Sequence, residues 1–275
     1  MDNPLTYAFT DPAAVLFLAG VAAGCEERGS ALALVPRLEE GAAEVVRSAL
    51  VDGYVFFCTD EDDPRLEAAR ARGLPLVLVD YDPQDGAAQV GIDDREGARL
   101  AAQHLVDLGH RRFGAVLPFR EDLDHSGRRR VARCHVRDER IAGWRDAVTA
   151  AGIDWASVPV AGADRSEVET GQRAAAELLD RAERPTAILA LSDVLAFGVL
   201  RAAAERGIDV PRDLSVVGFD DVPEAAGARP ALTTVRQPHR EKGSAAVRLL
   251  AGGARPEKVH LPIELVVRAS TAPAP

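Results

Sequence analysis

Cysteine is scarce. Cys25, Cys58 and Cys134 stand far apart, form no C-x-x-C pair and are odd in number, which excludes a disulfide framework and suits reduced thiols that simply pack. No stretch approaches the roughly 18 consecutive apolar residues of a membrane span. The opening "MDNPLTYAFTDPAAVLF" lacks a basic region followed by an apolar core and a small-residue cleavage site, so no secretory signal is expected and the reading is cytoplasmic. Positive charge is also short: 33 lysines and arginines face 43 acidic residues, a formal net charge of −10. A surface that neutralises phosphates needs the opposite field, so this chain alone is not expected to hold DNA. The local exception, "RRRVARCHVR" at 128–137, carries five arginines in ten residues and reads as a solvated loop. Catalytic signatures are missing too. There is no Walker A sequence, no G-x-G-x-x-G after a strand, no G-x-S-x-G elbow and no H-x-x-x-H among six histidines, so neither a cofactor, a metal nor an enzyme activity is expected.

What the sequence does contain is a regular alternation. Apolar residues at helical spacing in "PAAVLFLAGVAAGCEERG" precede a strand-like "ALALV"; "GAAEVVRSALVDG" leads to "YVFFC", and "DPRLEAARARG" to "LPLVLVD". Gly29, Gly53 and Gly73 each sit where a left-handed residue could end a helix. After a short edge strand, "AQVGI", the pattern resumes. Helix "REGARLAAQHLVDLG" leads to strand "RFGAVL", then come a long polar loop at about 118–137, helix "RIAGWRDAVTAAG" and strand "SVPVAG". Three further steps follow, with strands "TAILAL", "LSVVGF" and "LTTVRQ". Apolar strands alternating with amphipathic helices mean βαβ units on parallel sheets covered on both faces. Two doubly wound α/β lobes suit the strand number better than one barrel, which stays open at this stage.

In open parallel sheets, ligands bind beyond the carboxyl ends of the strands. The polar residues there are mostly acidic: Asp80 after "LPLVLV", Asp93 and Asp94 after "VGI", Asp193 after "TAILALS", Asp220 and Asp221 after "LSVVGF". A lone strand-end aspartate is more often a helix N-cap, and Asp193 fits that. In two facing lobes the whole set would line one cleft. With no nucleophile, metal spacing or phosphate loop, the remaining chemistry is a polyhydroxylated ligand whose hydroxyls donate to carboxylates and whose oxygens receive a guanidinium. Arg140, opening "RIAGWRDAV", could supply that planar fork; alone, it would be read as pairing with Asp138 or Glu139. Trp144 lies one turn later on the same face, a core position more often than a contact. His110 in "LGHRR" reads as part of a helix-end turn. Asp221 is expected to cap or order the "VPEAAG" turn.

Residues 185–250, "PTAILALSDVLAFGVLRAAAERGIDVPRDLSVVGFDDVPEAAGARPALTTVRQPHREKGSAAVRLL", resemble the lactose-repressor family of bacterial transcription regulators almost throughout. "VGIDDREGARLAAQHLVDLGHRRFGAV" at 90–116 and "ERIAGWRDAV" at 139–148 fit the same family. The resemblance implies two Rossmann-like lobes, similar to periplasmic sugar-binding proteins, joined by three crossovers near 91–94, 235–238 and 252–256, with an effector between them. The lobes would comprise 1–92 with 237–251, and 93–236 with 252–275. It puts effector contacts on Arg140, on Ser192 with Asp193 beside it, and on Asp220, and from the other lobe on Phe57, Asp80 and Gln237. Tyr7, Phe9 and Ala13 of "LTYAFTDPAA" and Trp144 are further candidates. Phe57, where some members place an amide, and Ser192, shorter than the common asparagine, leave the particular ligand open. The family also implies a homodimer, a small-molecule effector (a sugar above all) and operator DNA held through a helix-turn-helix headpiece that this sequence does not contain. Truncation ahead of the first strand is the reading adopted for that difference. A solute-binding protein for sugar uptake is the alternative reading.

Overall fold

The four-residue apolar runs do become parallel strands, and what limits each one is the availability of a neighbour. The computed structural model describes residues 5–35, 41–59, 63–81, 87–118, 121–123, 129–131, 134–163 and 165–275. The chain divides into two units, Met1–Asp93 with Arg133–Val136 and Pro238–Pro262, and Asp94–Ala132 with Arg137–Gln237 and Ile263–Pro275.

The first unit begins with helices α1 (Leu5–Ala8), α2 (Pro12–Glu26) and α3 (Ala42–Ser48), followed by strand β1 (Tyr54–Phe57), helix α4 (Pro64–Ala71), and strands β2 (Leu76–Val79) and β3 (Ala88–Gly91). The other unit follows with α5 (Asp94–Asp107), β4 (Phe113–Pro118), β5 (Glu121–Leu123), β6 (Arg129–Val131), α6 (His135–Ala150), β7 (Val160–Ala163), α7 (Val168–Leu179), β8 (Ala187–Ala190), α8 (Asp193–Glu205), β9 (Ser215–Val217), α9 (Pro223–Gly227) and β10 (Thr234–Arg236). Helix α10 (His239–Ala251) and strand β11 (Lys258–His260) return to the first unit, and β12 (Glu264–Val266) closes the second.

In the first unit β1, β2, β3 and β11 pair side by side and parallel. The period of two separates its faces: Val77 and Val79 pack with Phe17 and Val21 of α2 and Ala245–Val247 of α10, whereas Leu78 packs with Tyr54, Phe56, Val46 and Leu66. Helices α2 and α10 cross so closely that a Cβ at Gly20 would overlap the backbone of Arg240, and one at Gly243 the backbone of Phe17. In the second unit β7, β4, β8 and β9 form a parallel sheet, with β10 and β12 an antiparallel pair and β5 and β6 a hairpin.

Several expectations change. "ALALV" forms no strand: Ala31–Val35 is irregular, and among the described residues β1 has a partner on one side only. Nor is "AQVGI" an edge strand, because β11 pairs in parallel with β3 and makes it internal. That pairing moves the last passage between the units to 262/263 rather than 252–256, and keeps residues 252–262 in the first unit. Gly29 and Gly73 are left-handed helix ends, but Gly53 is not; a Cβ there would press on the Pro75 carbonyl and Leu250, so it serves close packing. The loop expected at 118–137 contains the β5–β6 hairpin, while residues 119–120, 124–128 and 132–133, part of the arginine-rich run, lie outside the described residues. Helix α6 begins at His135, so Arg140 sits in its second turn instead of opening it.

Candidate functional site

Parallel pairing brings the carboxyl ends of the strands to one edge of each sheet, and there the backbone departs from ordinary strand geometry. Cys58 after β1, Asp80 after β2, and Asp220 and Asp221 after β9 all have positive φ, at 48°, 53°, 124° and 54°. Such conformations in residues other than glycine cost of order 1–3 kcal/mol and concentrate where function requires them.

In the second unit these turns gather a buried polar cluster around Arg140. Its Nε donates to Asp94 Oδ1 at 2.8 Å and its Nη1 to the Leu191 carbonyl at 2.6 Å. The Asp220 carboxylate is 3.6 Å from Nη1, and the guanidinium carbon lies 3.5 Å from the centroid of the Phe219 ring, a cation–π contact. Gln237 Nε2 donates to Asp220 Oδ1 at 2.6 Å, and the Asp220 amide donates to the Val235 carbonyl, which fixes the carboxylate against β10. Arg140, Asp94, Asp220 and Gln237 are all buried. Buried charges of this kind persist when paired and hydrogen-bonded. Arg140 does not pair with Asp138, which takes Arg137 instead.

Asp193 was expected to cap a helix, and it does not. The N-cap of α8 is Ser192, whose hydroxyl accepts from the Leu195 amide. Asp193 is fully buried; it accepts from Thr234 Oγ1 at 2.5 Å and from the Val222 amide at 2.9 Å. Burial, and then the nearby Asp220 charge, push its carboxyl well above the usual carboxylate range. Asp193 therefore orders the turn before α9, the task expected of Asp221. Asp221 instead pairs with Arg268 at 2.6 Å and Arg236 at 2.7 Å. Gln237, expected from the other lobe, belongs to this unit and bonds Asp220. Trp144, 1% exposed, is a core residue one turn after Arg140, and its indole nitrogen has no hydrogen-bond partner among the described residues. His110 lies elsewhere in the unit, its ring bonded to Thr186 Oγ1 at 3.0 Å and to Ser215 Oγ at 3.0 Å, so it is a structural residue at the end of α5.

In the first unit, Phe57 is half-buried and stacked on Phe17, with ring centroids 4.2 Å apart and planes 11° from parallel. Asp80 is buried and receives Lys242 Nζ of α10 on Oδ1 at 2.5 Å. Asp11 caps α2 through the Ala13 amide, and its carboxyl is pushed up to about 6 by burial, against the lowering effect of the Ala13 and Ala14 amides. Tyr7 and Ala13 are buried, whereas Phe9 is 60% exposed; an aromatic so exposed is available for contact but is not held in a site. No candidate metal cluster occurs among the described residues.

Sequence reasoning missed three residues. Asp94 was counted among the strand-end carboxylates after "VGI", but its bond to Arg140 was not visible, because that partner is 46 positions away. Phe219 reads as an ordinary strand end until the guanidinium is placed over it. Lys242 had a signal of its own, a charge on the helical face that otherwise carries His239 and Ala246.

Comparison with known proteins adds a lineage to this geometry. Residues 102–271 match the model of a periplasmic binding protein-like domain. The chain is 40% identical to the HTH-type transcriptional regulator Rv3575c of Mycobacterium tuberculosis, over 96% of its own length and 75% of the relative's. Among solved structures it is similar to a LacI family transcriptional regulator from Enterococcus faecium with bound ribose, with TM-score 0.83, 27% identity, and 97% and 96% of the two chains covered. It is equally similar in fold to the transcriptional regulator CelR in complex with cellobiose, with TM-score 0.83, 29% identity, and 98% and 82% covered.

Proposed function

Because the chain belongs to the LacI family of transcriptional regulators and forms its periplasmic-binding-protein-like effector core, we propose that it senses a small polyhydroxylated metabolite, a sugar, and conveys its presence to a DNA-binding region of the complete regulator. The observation that carries this reading is the cluster of Arg140, Asp94, Asp220 and Gln237, buried together in the second unit. Its carboxylates accept hydroxyl hydrogens, and its guanidinium offers a planar donor. The names of the relatives support the same reading. One is a helix-turn-helix regulator, and two structural neighbours hold ribose and cellobiose.

The effector acts by population shift: it binds one arrangement of the two units better than another, by the roughly 1–3 kcal/mol typical of coupled sites. Hydrogen bonds to charged groups are worth about 1.5–3 kcal/mol each, so Asp220→Ala or Arg140→Ala should weaken sugar binding roughly tenfold or more. A thermal-shift screen of ribose, cellobiose and other neutral sugars identifies a binder through ligand-linked stabilisation, and calorimetry on the two variants then measures the loss. A parent that binds a sugar while both variants bind it equally well overturns the site assignment. A homodimer is part of the same proposal, because two-fold operators call for two-fold proteins.

A further inference from the structure

We propose that Lys242 is a positioning residue, holding the Asp80 carboxylate in place as an effector acceptor. The inference rests on the proposed reading of Asp80 as an effector contact and adds the group that makes it one. Lys242 is 0% exposed, inside α10, and its Nζ is 2.5 Å from Asp80 Oδ1. It meets the residue that follows β2 and has no surface with which to meet a ligand directly.

Three observations point to this role. First, the lysine stands on the buried stripe of α10, whose neighbours at helical spacing are His239 and Ala246, both buried. A methionine of similar length would fill that space, and replacing a buried ion pair with apolar groups is often neutral or stabilising. Packing alone therefore gives no reason for the charge. Second, Asp80 has φ 53°, a conformation unfavourable for a side chain with a Cβ, so something must hold the residue in it. Third, Asp80 Oδ1 faces the end of β3, 3.9 Å from where a Cβ on Gly91 would lie. The carboxylate thus lies beside the end of β3 as well as that of β2.

The test uses the whole chain without ligand. Carboxyl carbon NMR, with the Asp80 signal assigned from its absence in Asp80→Asn, follows the titration of Asp80 in the parent, Lys242→Met and Lys242→Arg. His239, buried one turn before Lys242 on α10, has no side-chain carboxyl carbon, so only aspartate and glutamate signals have to be told apart, and the Asp80→Asn spectrum does this. Removing the neighbouring cation should raise the Asp80 midpoint by about one unit or more, and arginine should restore it. An unchanged midpoint in Lys242→Met overturns the proposal. Should Lys242→Met fail to fold, Asp80→Asn with Lys242→Met removes both charges: recovery of folding supports the pair, whereas continued failure makes Lys242 a packing residue and sinks the idea. Ribose and cellobiose affinities between pH 5.5 and 7.5 form the second arm. For a sugar that binds, the parent should vary less than twofold, whereas Lys242→Met should bind more weakly throughout and lose further affinity towards the acid end in step with the protonated fraction of Asp80 that its titration gives, a dependence that Asp80→Asn lacks. If neither sugar binds the parent, it is the sugar reading that fails, and the Asp80 titration still decides whether Lys242 holds that carboxylate in its ionised state.

Discussion

Asp11, half-buried, and His110, buried, give the protein opposite responses to pH. Asp11 has a folded-state value of about 6 against 3.8 unfolded, so its contribution to stability is full below 3.8 and is lost as pH rises through 6. Asp11→Asn keeps an oxygen to cap α2 and removes the charge; it should raise stability above pH 6 by roughly 1–3 kcal/mol and leave it unchanged near pH 4. His110 works the other way. Its imidazole is lowered from 6.5 chiefly by burial, so its contribution is present above 6.5 and lost as pH falls through the lower folded value. His110→Gln should therefore flatten the acid side of the stability curve while lowering its plateau. Urea denaturation of both variants at half-unit steps from pH 4 to 8 measures the slopes, and parallel curves for parent and variant would refute either assignment.

At the scale of elements, α5 supports the guanidinium twice. Its first residue, Asp94, accepts from Arg140, and one turn later Gly97 leaves room for the ring on which Arg140 rests: a Cβ there would lie 2.9 Å from Phe219 Cζ and 3.2 Å from Ile263 Cδ1. Gly97→Ala gains up to about 1 kcal/mol of helix propensity but forces the ring aside, and overpacking costs about 1–3 kcal/mol. The expected result is a net loss of stability together with weaker sugar binding, read from denaturation and calorimetry; a variant more stable than the parent with unchanged binding would show that the ring yields freely. Elements were the level most legible in the sequence. Helical periodicity and the runs "LPLVLV", "TAILAL" and "LSVVGF" located strands and helices closely, because each is specified by its own residues. "ALALV" failed for the converse reason, since strand character without a paired neighbour makes no strand. β11 went unseen because "KVH" is too short and polar to announce itself until β3 is beside it.

For the whole molecule, the two-unit division and parallel sheets followed from the alternation of elements, but the end of the last return did not, because it depends on β11 pairing with a strand more than 160 residues earlier. The members of the polar cluster were mostly legible, with Arg140 and Asp220 in recognisable surroundings. Their mutual partners, from Asp94 to Arg140 and from Gln237 to Asp220, are long-range facts. The formal net charge of −10 carries a prediction at this scale: the 275-residue chain by itself should show no DNA binding in fluorescence anisotropy at 150 mM salt, and salt-sensitive binding with a steep slope would contradict it.

Helix α6 also makes the site observable by light. The protein has two tryptophans: Trp144 is sealed in the core one turn beyond Arg140, while Trp155 lies partly exposed in the short turn at Trp155–Ser157. Iodide should quench the second and spare the first, leaving a blue-shifted emission from a single position on the helix that carries Arg140. A sugar bound at the proposed cluster should then register as a shift of that emission, in the native sequence and without a dye.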